Sequence, residues 1–294
     1  MKVAVAKYPI GQPRDFDAFA EKQVHLLQQA ADAGARIAVL PEYLSLELAA
    51  TFPVAISADL LASLEATQQY AEEFLHLYAT LAQRMGLHVI AGSFLTAVGN
   101  GRYRNRAHWF TPDGRRGWQD KLQLTGFERN AQVIEGGDDL RVFAADEIRA
   151  GIAICYDAEF PLPVRAQQQA GARLLVVPSC TDTAAGATRV RVGCLARALE
   201  NRLFVAQSVT AGSAPWSPAL DENTGEAALF APMDVDLPAD GVIARTEGEQ
   251  IWAIGELDFV ALQASAARAQ VAVDRDWPGQ DAPALRRARL TPLA

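Results

Sequence analysis

Ala33-Gly34-Ala35-Arg36-Ile37-Ala38-Val39-Leu40-Pro41-Glu42 aligns without gaps to Ala170-Gly171-Ala172-Arg173-Leu174-Leu175-Val176-Val177-Pro178-Ser179. Each copy reads as a helix end, a glycine stop and an apolar run closed by proline. The apolar runs preceding the two copies are also similar: Val3-Ala4-Val5-Ala6-Lys7-Tyr8-Pro9 and Gly151-Ile152-Ala153-Ile154-Cys155-Tyr156-Asp157. Chance resemblance between apolar strands does not explain the shared Ala-Gly-Ala-Arg and the proline. Two matched β-α-β units predict an α/β fold, a four-layer αββα sandwich of two pseudo-symmetric halves with helices outside two facing sheets.

The rest of the chain fits around these units. Asp15 to Ala33 has helical spacing, as does Ser57 to Met85, with Gly86 placed to end it. Leu87 to Gly92 reads as a third strand. Residues 103–110 and 114–120 predict a hairpin around Thr111-Pro112-Asp113-Gly114, a strong turn signal. Residues 141–154 predict a second hairpin turning near Asp146-Glu147. Residues 1–260 are expected to form one domain. Residues 261–294 lose sheet periodicity and are expected to form a C-terminal tail that docks on the core or on a partner subunit.

Composition narrows the function. The chain has 294 residues, half of them hydrophobic, and a formal charge of −8. That charge argues against a nucleic-acid partner, because phosphate binding leans on a basic surface. No run of eighteen apolar residues predicts a membrane span, and the amino terminus reads as a first strand, not a signal peptide. Cys155, Cys180 and Cys194 form no CxxC pair, so neither a disulfide framework nor a metal site is expected, and a reducing cytoplasm is the expected compartment.

Gly151 to Asp157 reads as a buried, parallel strand with Cys155 at its carboxyl end, where open α/β sheets place their chemistry. On the residues alone, Cys155 is either a small packing thiol or a nucleophile. A nucleophilic thiol needs a base or a positive neighbour. His25 and His76 fall in predicted helices, His88 opens a strand and His108 lies in the first hairpin, so a Cys–His pair is disfavoured, with His108 left open. Glu42 closes the strand Ile37–Leu40 in the repeat-matched position. Partial desolvation there would raise its pKa toward a useful base. Lys121, in Asp120-Lys121-Leu122, is either a surface charge or an inward ammonium that favours thiolate and stabilises an oxyanion.

The order Glu, Lys, Cys resembles the nitrilase superfamily of carbon–nitrogen hydrolases. The matching motifs are Leu40-Pro41-Glu42, Asp120-Lys121-Leu122 and Gly151 to Asp157 with Phe160-Pro161. Glu128 resembles the family's second active-site glutamate, and Arg197-Ala198-Leu199-Glu200-Asn201 is similar to a helix of the superfamily. The resemblance covers roughly residues 1–260. It implies the αββα sandwich, a homodimer through the face carrying the cysteine-side helices or a higher homo-oligomer, and no metal or organic cofactor. It further implies that Glu42 is the base, Cys155 the nucleophile, and Lys121 with the backbone N–H of Tyr156 the oxyanion donors, with Glu128 holding Lys121 and orienting the substrate nitrogen.

The substrate is less legible. Cys155-Tyr156-Asp157 looks more like the amidase and carbamoyl branches than like true nitrilases, while Leu162 stands where many relatives carry Glu. The expected reaction is hydrolysis of a small linear amide with release of ammonia. N-carbamoyl amine or amino acid hydrolysis, nitrile hydrolysis and an acyl-transferring or non-catalytic binding member are the alternatives. Ser179, Cys180, Thr181 and Asp182 are expected to line the pocket, Arg189 to recognise a carboxylate, and Trp216 to cap the pocket or brace its loop.

Overall fold

The repeat folds into the same hydrogen-bonded corner twice. In the first copy Gly34 N–H donates to Ala31 O, Ala35 N–H to Ala30 O and Arg36 N–H to Lys2 O. In the second Gly171 N–H donates to Gln168 O, Ala172 N–H to Gln167 O and Arg173 N–H to Arg149 O. Gly34 and Gly171 have φ of +77° and +99°, a left-handed turn that L side chains enter only at a cost. These positions come from a computed structural model of the chain that describes residues 1–269 and 271–292. Gln270, Leu293 and Ala294, which fall in the expected tail, lie outside the described residues.

The strands are β1 (Lys2–Pro9), β2 (Ile37–Leu40), β3 (His88–Gly99), β4 (Arg102–Phe110), β5 (Arg116–Asp120), β6 (Val142–Ala145), β7 (Ile148–Ile152), β8 (Leu174–Ser179), β9 (Phe204–Ser213), β10 (Glu222–Asn223), β11 (Ala228–Phe230), β12 (Val242–Arg245) and β13 (Trp252–Glu256). The helices are α1 (Phe16–Asp32), α2 (Val54–Ser57), α3 (Leu60–Thr67), α4 (Ala71–Met85), α5 (Gly126–Asn130), α6 (Pro161–Gln169), α7 (Ala184–Asn201), α8 (Phe259–Arg268) and α9 (Val273–Asp276).

Each β-α-β unit closes as a parallel pair, Val3 opposite Ile37 in one and Ala150 opposite Leu174 in the other. The strands run in the order β5-β4-β3-β2-β1-β9-β8-β7-β6. The halves join where Lys7–Pro9 of β1 pairs in parallel with Val209–Ala211 of β9, so the two facing sheets form one nearly closed sheet. Alternation along β1 sorts the layers. Val3 and Val5 pack inward with Ile37, Val39, Ile152, Val176 and Val205 between the sheets. Ala4, Ala6 and Tyr8 face outward onto Phe19, Leu27, Phe74 and Tyr78 of α1 and α4. Each fully buried large side chain there contributes about 1.5–3 kcal/mol.

Two expectations shift. The helix expected over Ser57 to Met85 starts at Leu60, where the Asp59 side chain accepts Ala62 N–H at 2.8 Å, and is interrupted by a 3-10 turn over Gln68–Tyr70 between α3 and α4. The cysteine strand ends at Ile152, and Cys155 opens a 3-10 helix over Cys155–Glu159. Within residues 261–294, Leu262 and Ser265 of α8 are buried and Asp274 pairs with Arg202 at 3.4 Å. Residues 278–292 are exposed. No helix among the described residues is long and apolar enough to cross a membrane.

Candidate active site

Four elements deliver four reactive side chains to one place. Glu42 follows β2, Lys121 follows β5, Glu128 lies in α5 and Cys155 follows β7. Lys121 Nζ lies 2.8 Å from Glu42 Oε1 and 2.8 Å from Glu128 Oε2. All three side chains are essentially sealed from solvent. Asn105 Nδ2 donates to Glu42 Oε1 at 2.8 Å and to Glu128 Oε1 at 3.1 Å, bridging the two carboxylates. Tyr43 Oη donates to Glu128 Oε1 at 2.8 Å, and the second oxygen of Glu42 accepts Cys180 N–H at 3.1 Å.

The backbone around Glu42 is held from two sides. Ser208 Oγ and Thr210 Oγ1 of β9 donate to Leu40 O and Glu42 O, each at 3.0 Å. From β3, Ser93 N–H donates to Pro41 O at 3.2 Å, and Ser93 Oγ accepts Tyr43 N–H at 2.9 Å. Gly92 has φ of +59°, and a Cβ there would lie 2.0 Å from Pro41 O. Only glycine lets β3 come this close. Gly92→Ala must push Pro41 and Glu42 by about an ångström, a displacement that costs about 100-fold in a positioned reaction. A fall in kcat/KM of about 100-fold, with a lowered Tm, is the expected result of steady-state and thermal-melt measurements.

Cys155 sits at φ of +50°, in left-handed backbone that costs a β-substituted residue on the order of 1–3 kcal/mol. The elbow is held by Asp157, whose carboxylate accepts N–H groups from Gln123 at 2.7 Å and from Leu122 and Ile154 at 3.1 Å. This ties the cysteine turn to the segment just after Lys121. Burial pushes the Asp157 carboxyl up to about 6, against the pull of those N–H donors. Behind the elbow, a Cβ on Gly193 of α7 would lie 2.9 Å from Ala158 O, so the helix packs directly on the turn.

The charges act on one another. Burial raises the Glu42 carboxyl, Lys121 opposes this and the Glu128 charge adds to it, for a net rise. Burial works against the Lys121 ammonium, but Glu42 and Glu128 more than offset it and hold it well above the usual lysine value. Glu128 is held low against its burial, chiefly by Lys121. Burial and the Glu42 carboxylate push the Cys155 thiol well above its ordinary value. The resting arrangement is therefore a neutral thiol beside a carboxylate that readily takes a proton.

These groups open on a cavity of about 280 Å³. Of the expected lining, Cys180, Thr181, Asp182 and Arg189 reach it, along with Glu42, Lys121, Cys155 and Tyr156. Ser179 does not line it; its Oγ turns away and donates to Ser208 O at 2.6 Å. Trp216 packs behind the wall with Tyr43, Leu46 and Leu64. His108 is buried against Phe110 and pushed down to about 3 by burial and nearby arginines, away from the cavity. Among the described residues no group of three His, Cys, Asp or Glu gathers as metal ligands.

Sequence reasoning missed Tyr43, Asn105, Asp157 and Gly92. Asn105 left a signal: it shares the inward positions of β4 with Tyr103 and Ala107, where an amide needs a buried partner. Tyr43, Asp157 and Gly92 act through contacts distant in sequence.

A model described as carbon-nitrogen hydrolase matches residues 2–256. The chain is 31% identical over 264 residues to the probable hydrolase YhcX of Bacillus subtilis (strain 168), covering 90% of this chain and 51% of that protein. It thus spans about half the length of that relative. It is 26% identical over 247 residues to omega-amidase NIT2-B of Xenopus laevis, covering 81% and 82% of the two chains. In fold it is similar to Saccharomyces cerevisiae Nit3, a member of branch 10 of the nitrilase superfamily, with a TM-score of 0.74 at 20% identity over 94% and 96% of the chains. It is also similar in fold to an amidase from Nesterenkonia sp., with a TM-score of 0.68 at 20% identity over 94% and 96%.

Proposed function

We propose, since the chain belongs to the carbon–nitrogen hydrolase family of the nitrilase superfamily, that it hydrolyses small linear amides through a thioester on Cys155 and releases ammonia. The observation that carries this reading is the buried Glu42–Lys121–Glu128 set, of which Glu42 and Lys121 line the same cavity as Cys155.

Glu42 accepts the thiol proton as Sγ attacks the amide carbon and the carbonyl electrons move onto oxygen. An ammonium has three N–H donors; two of those on Lys121 face Glu42 and Glu128, which leaves the third for that oxyanion. Tyr156 lies in the first turn of the 3-10 helix, where backbone N–H groups lack intrahelical acceptors, and its N–H is the second donor. Collapse of the tetrahedral adduct breaks the C–N bond, and the nitrogen takes the proton from Glu42 and leaves as ammonia. Glu42 then deprotonates water as its oxygen attacks the thioester, and the departing sulfur recovers the proton. Glu128 keeps Lys121 charged and aimed.

The same steps cleave a carbamoyl group from an amine, so ureido compounds belong in the test. Incubation with linear amides and N-carbamoyl compounds should release ammonia, with a Cys155 acyl adduct visible by mass spectrometry of quenched reactions. No ammonia from any member would overturn the reading. Its pH dependence is also specific. The acid limb of kcat/KM should lie above the ordinary glutamate value of about 4.3, since Glu42 is raised and must be ionised to act. Glu128→Gln removes a charge that raises Glu42, so the limb should move to lower pH while the rate falls. Exposed Leu162, Val192 and Leu199 on α6 and α7 support a homodimer through that face.

A further inference from the structure

We propose that this cavity selects amides whose far end carries a positive charge, such as ω-amino amides; the proposal rests on the amidase reading above. Besides Glu42, four carboxylates line the cavity: Glu159, Asp182, Asp221 and Glu222. The cations among the described lining residues are Lys121 and Arg189. Lys121 is engaged by Glu42 and Glu128. Arg189 Nε lies 3.4 Å from Glu159 Oε1, so these two charges largely offset each other. Asp182, Asp221 and Glu222 remain exposed at the mouth, three negative charges that no cation on the described residues pairs within the cavity.

The acidic segment is anchored. Asn223 Nδ2 donates to Leu220 O at 2.7 Å and to Gly212 O at 3.1 Å, while its Oδ1 accepts from Cys180 Sγ at 3.2 Å. Ser213 Oγ donates to Asp221 O at 2.8 Å. The backbone that carries Asp221 and Glu222 therefore holds a set place beside Cys180, on the wall of the cavity that Cys155 also lines. Phe127, Val190, Pro218 and Ala219 add apolar surface to the lining, suited to methylenes. The volume of about 280 Å³ holds roughly nine waters at ~30 Å³ each, a limit that fits a short chain. A carboxylate at the far end would meet the three unpaired acids, while the charge of Arg189 is partly offset by Glu159.

Three amides of matched length test this: 5-aminopentanamide, pentanamide and glutaramic acid. Each exposed carboxylate contributes a factor of about 1.4–5, so kcat/KM should favour the cationic amide over the neutral one by on the order of tenfold, mainly through KM. It should favour the neutral amide over the anionic one in turn. The spread should shrink in ~0.5 M salt and narrow in the Asp221→Asn, Glu222→Gln double variant. Turnover of all three without charge preference, or with preference for the acid, overturns the proposal and leaves the amidase reading standing. No ammonia from any of them overturns the amidase reading. The rim is then read without turnover, from labelling rates of Cys155 by a cationic and an anionic methanethiosulfonate, each normalised to free cysteine. A normalised cation-to-anion ratio well above one, reduced in the double variant, supports the proposal. A ratio at or below one overturns it.

Discussion

Cys155→Ala is expected to lower ammonia release from the best amide by about four orders of magnitude or more, the scale seen when a covalent nucleophile is removed. The fold should survive, because the change deletes one buried atom and leaves the β-carbon in the same left-handed backbone. Cys155→Ser should not restore the rate. A hydroxyl is a far weaker acid than a thiol, and a glutamate base raised by burial still cannot ionise it readily. Cys180 supplies the control. It faces the same cavity, its backbone N–H bonds Glu42, and its thiol is pushed up by burial and by Glu42. Cys180→Ala should keep a measurable rate and still form the acyl adduct on Cys155. An adduct on Cys180, or more than a tenth of wild-type activity in Cys155→Ala, would show the nucleophile to be misassigned.

Lys121→Met should be the most destabilising substitution in the site. The methionine fills similar volume but leaves Glu42 and Glu128 buried and facing each other across Asn105. Removing one partner of a buried ion pair costs about 3–5 kcal/mol. The pH dependence identifies the cause. In the wild-type chain Lys121 holds Glu128 low, so that carboxylate adds stability above its unfolded pKa of about 4.3 and loses it as pH falls. Without Lys121 both glutamates have folded pKa values above their unfolded ones, the folded state binds more protons, and stability should rise as pH falls from 8 toward 5. Denaturant melts across that range should show the variant recovering part of its loss at low pH. A pH-independent loss would mean that packing, and not the stranded charges, sets the cost.

Much of this site was legible because its parts stand at strand ends. The repeat marked Glu42 and Cys155 as residues that end core strands, with Glu42 aligned to Ser179 and Cys155 to Lys7, and the missing strand-end histidine pointed to the glutamate as base. Lys121 was legible as a charge among apolar residues, although its direction was not. Glu128 came only through family resemblance, since a helical glutamate carries no local mark of burial. Ser179 was misplaced as pocket lining because strand alternation turns its hydroxyl toward β9, a direction set by register. The helix expected over Ser57 to Met85 starts late because Asp59 serves as an N-cap, which competes with helical continuation, and it is interrupted by a 3-10 turn over Gln68–Tyr70.

The sequence alone determined the two β-α-β units, the α/β class and the identity of the Glu, Lys and Cys side chains, because periodicity, glycine stops and strand-end residues are local properties. The tertiary structure decided which charges meet. One lysine is shared by two glutamates from β2 and α5, Asn105 bridges them, Gly92 admits the Pro41 carbonyl, and Asp157 ties the cysteine turn to the lysine segment. Those contacts join residues tens of positions apart, and burial then sets their protonation, so the chemistry follows from desolvation that no local pattern encodes.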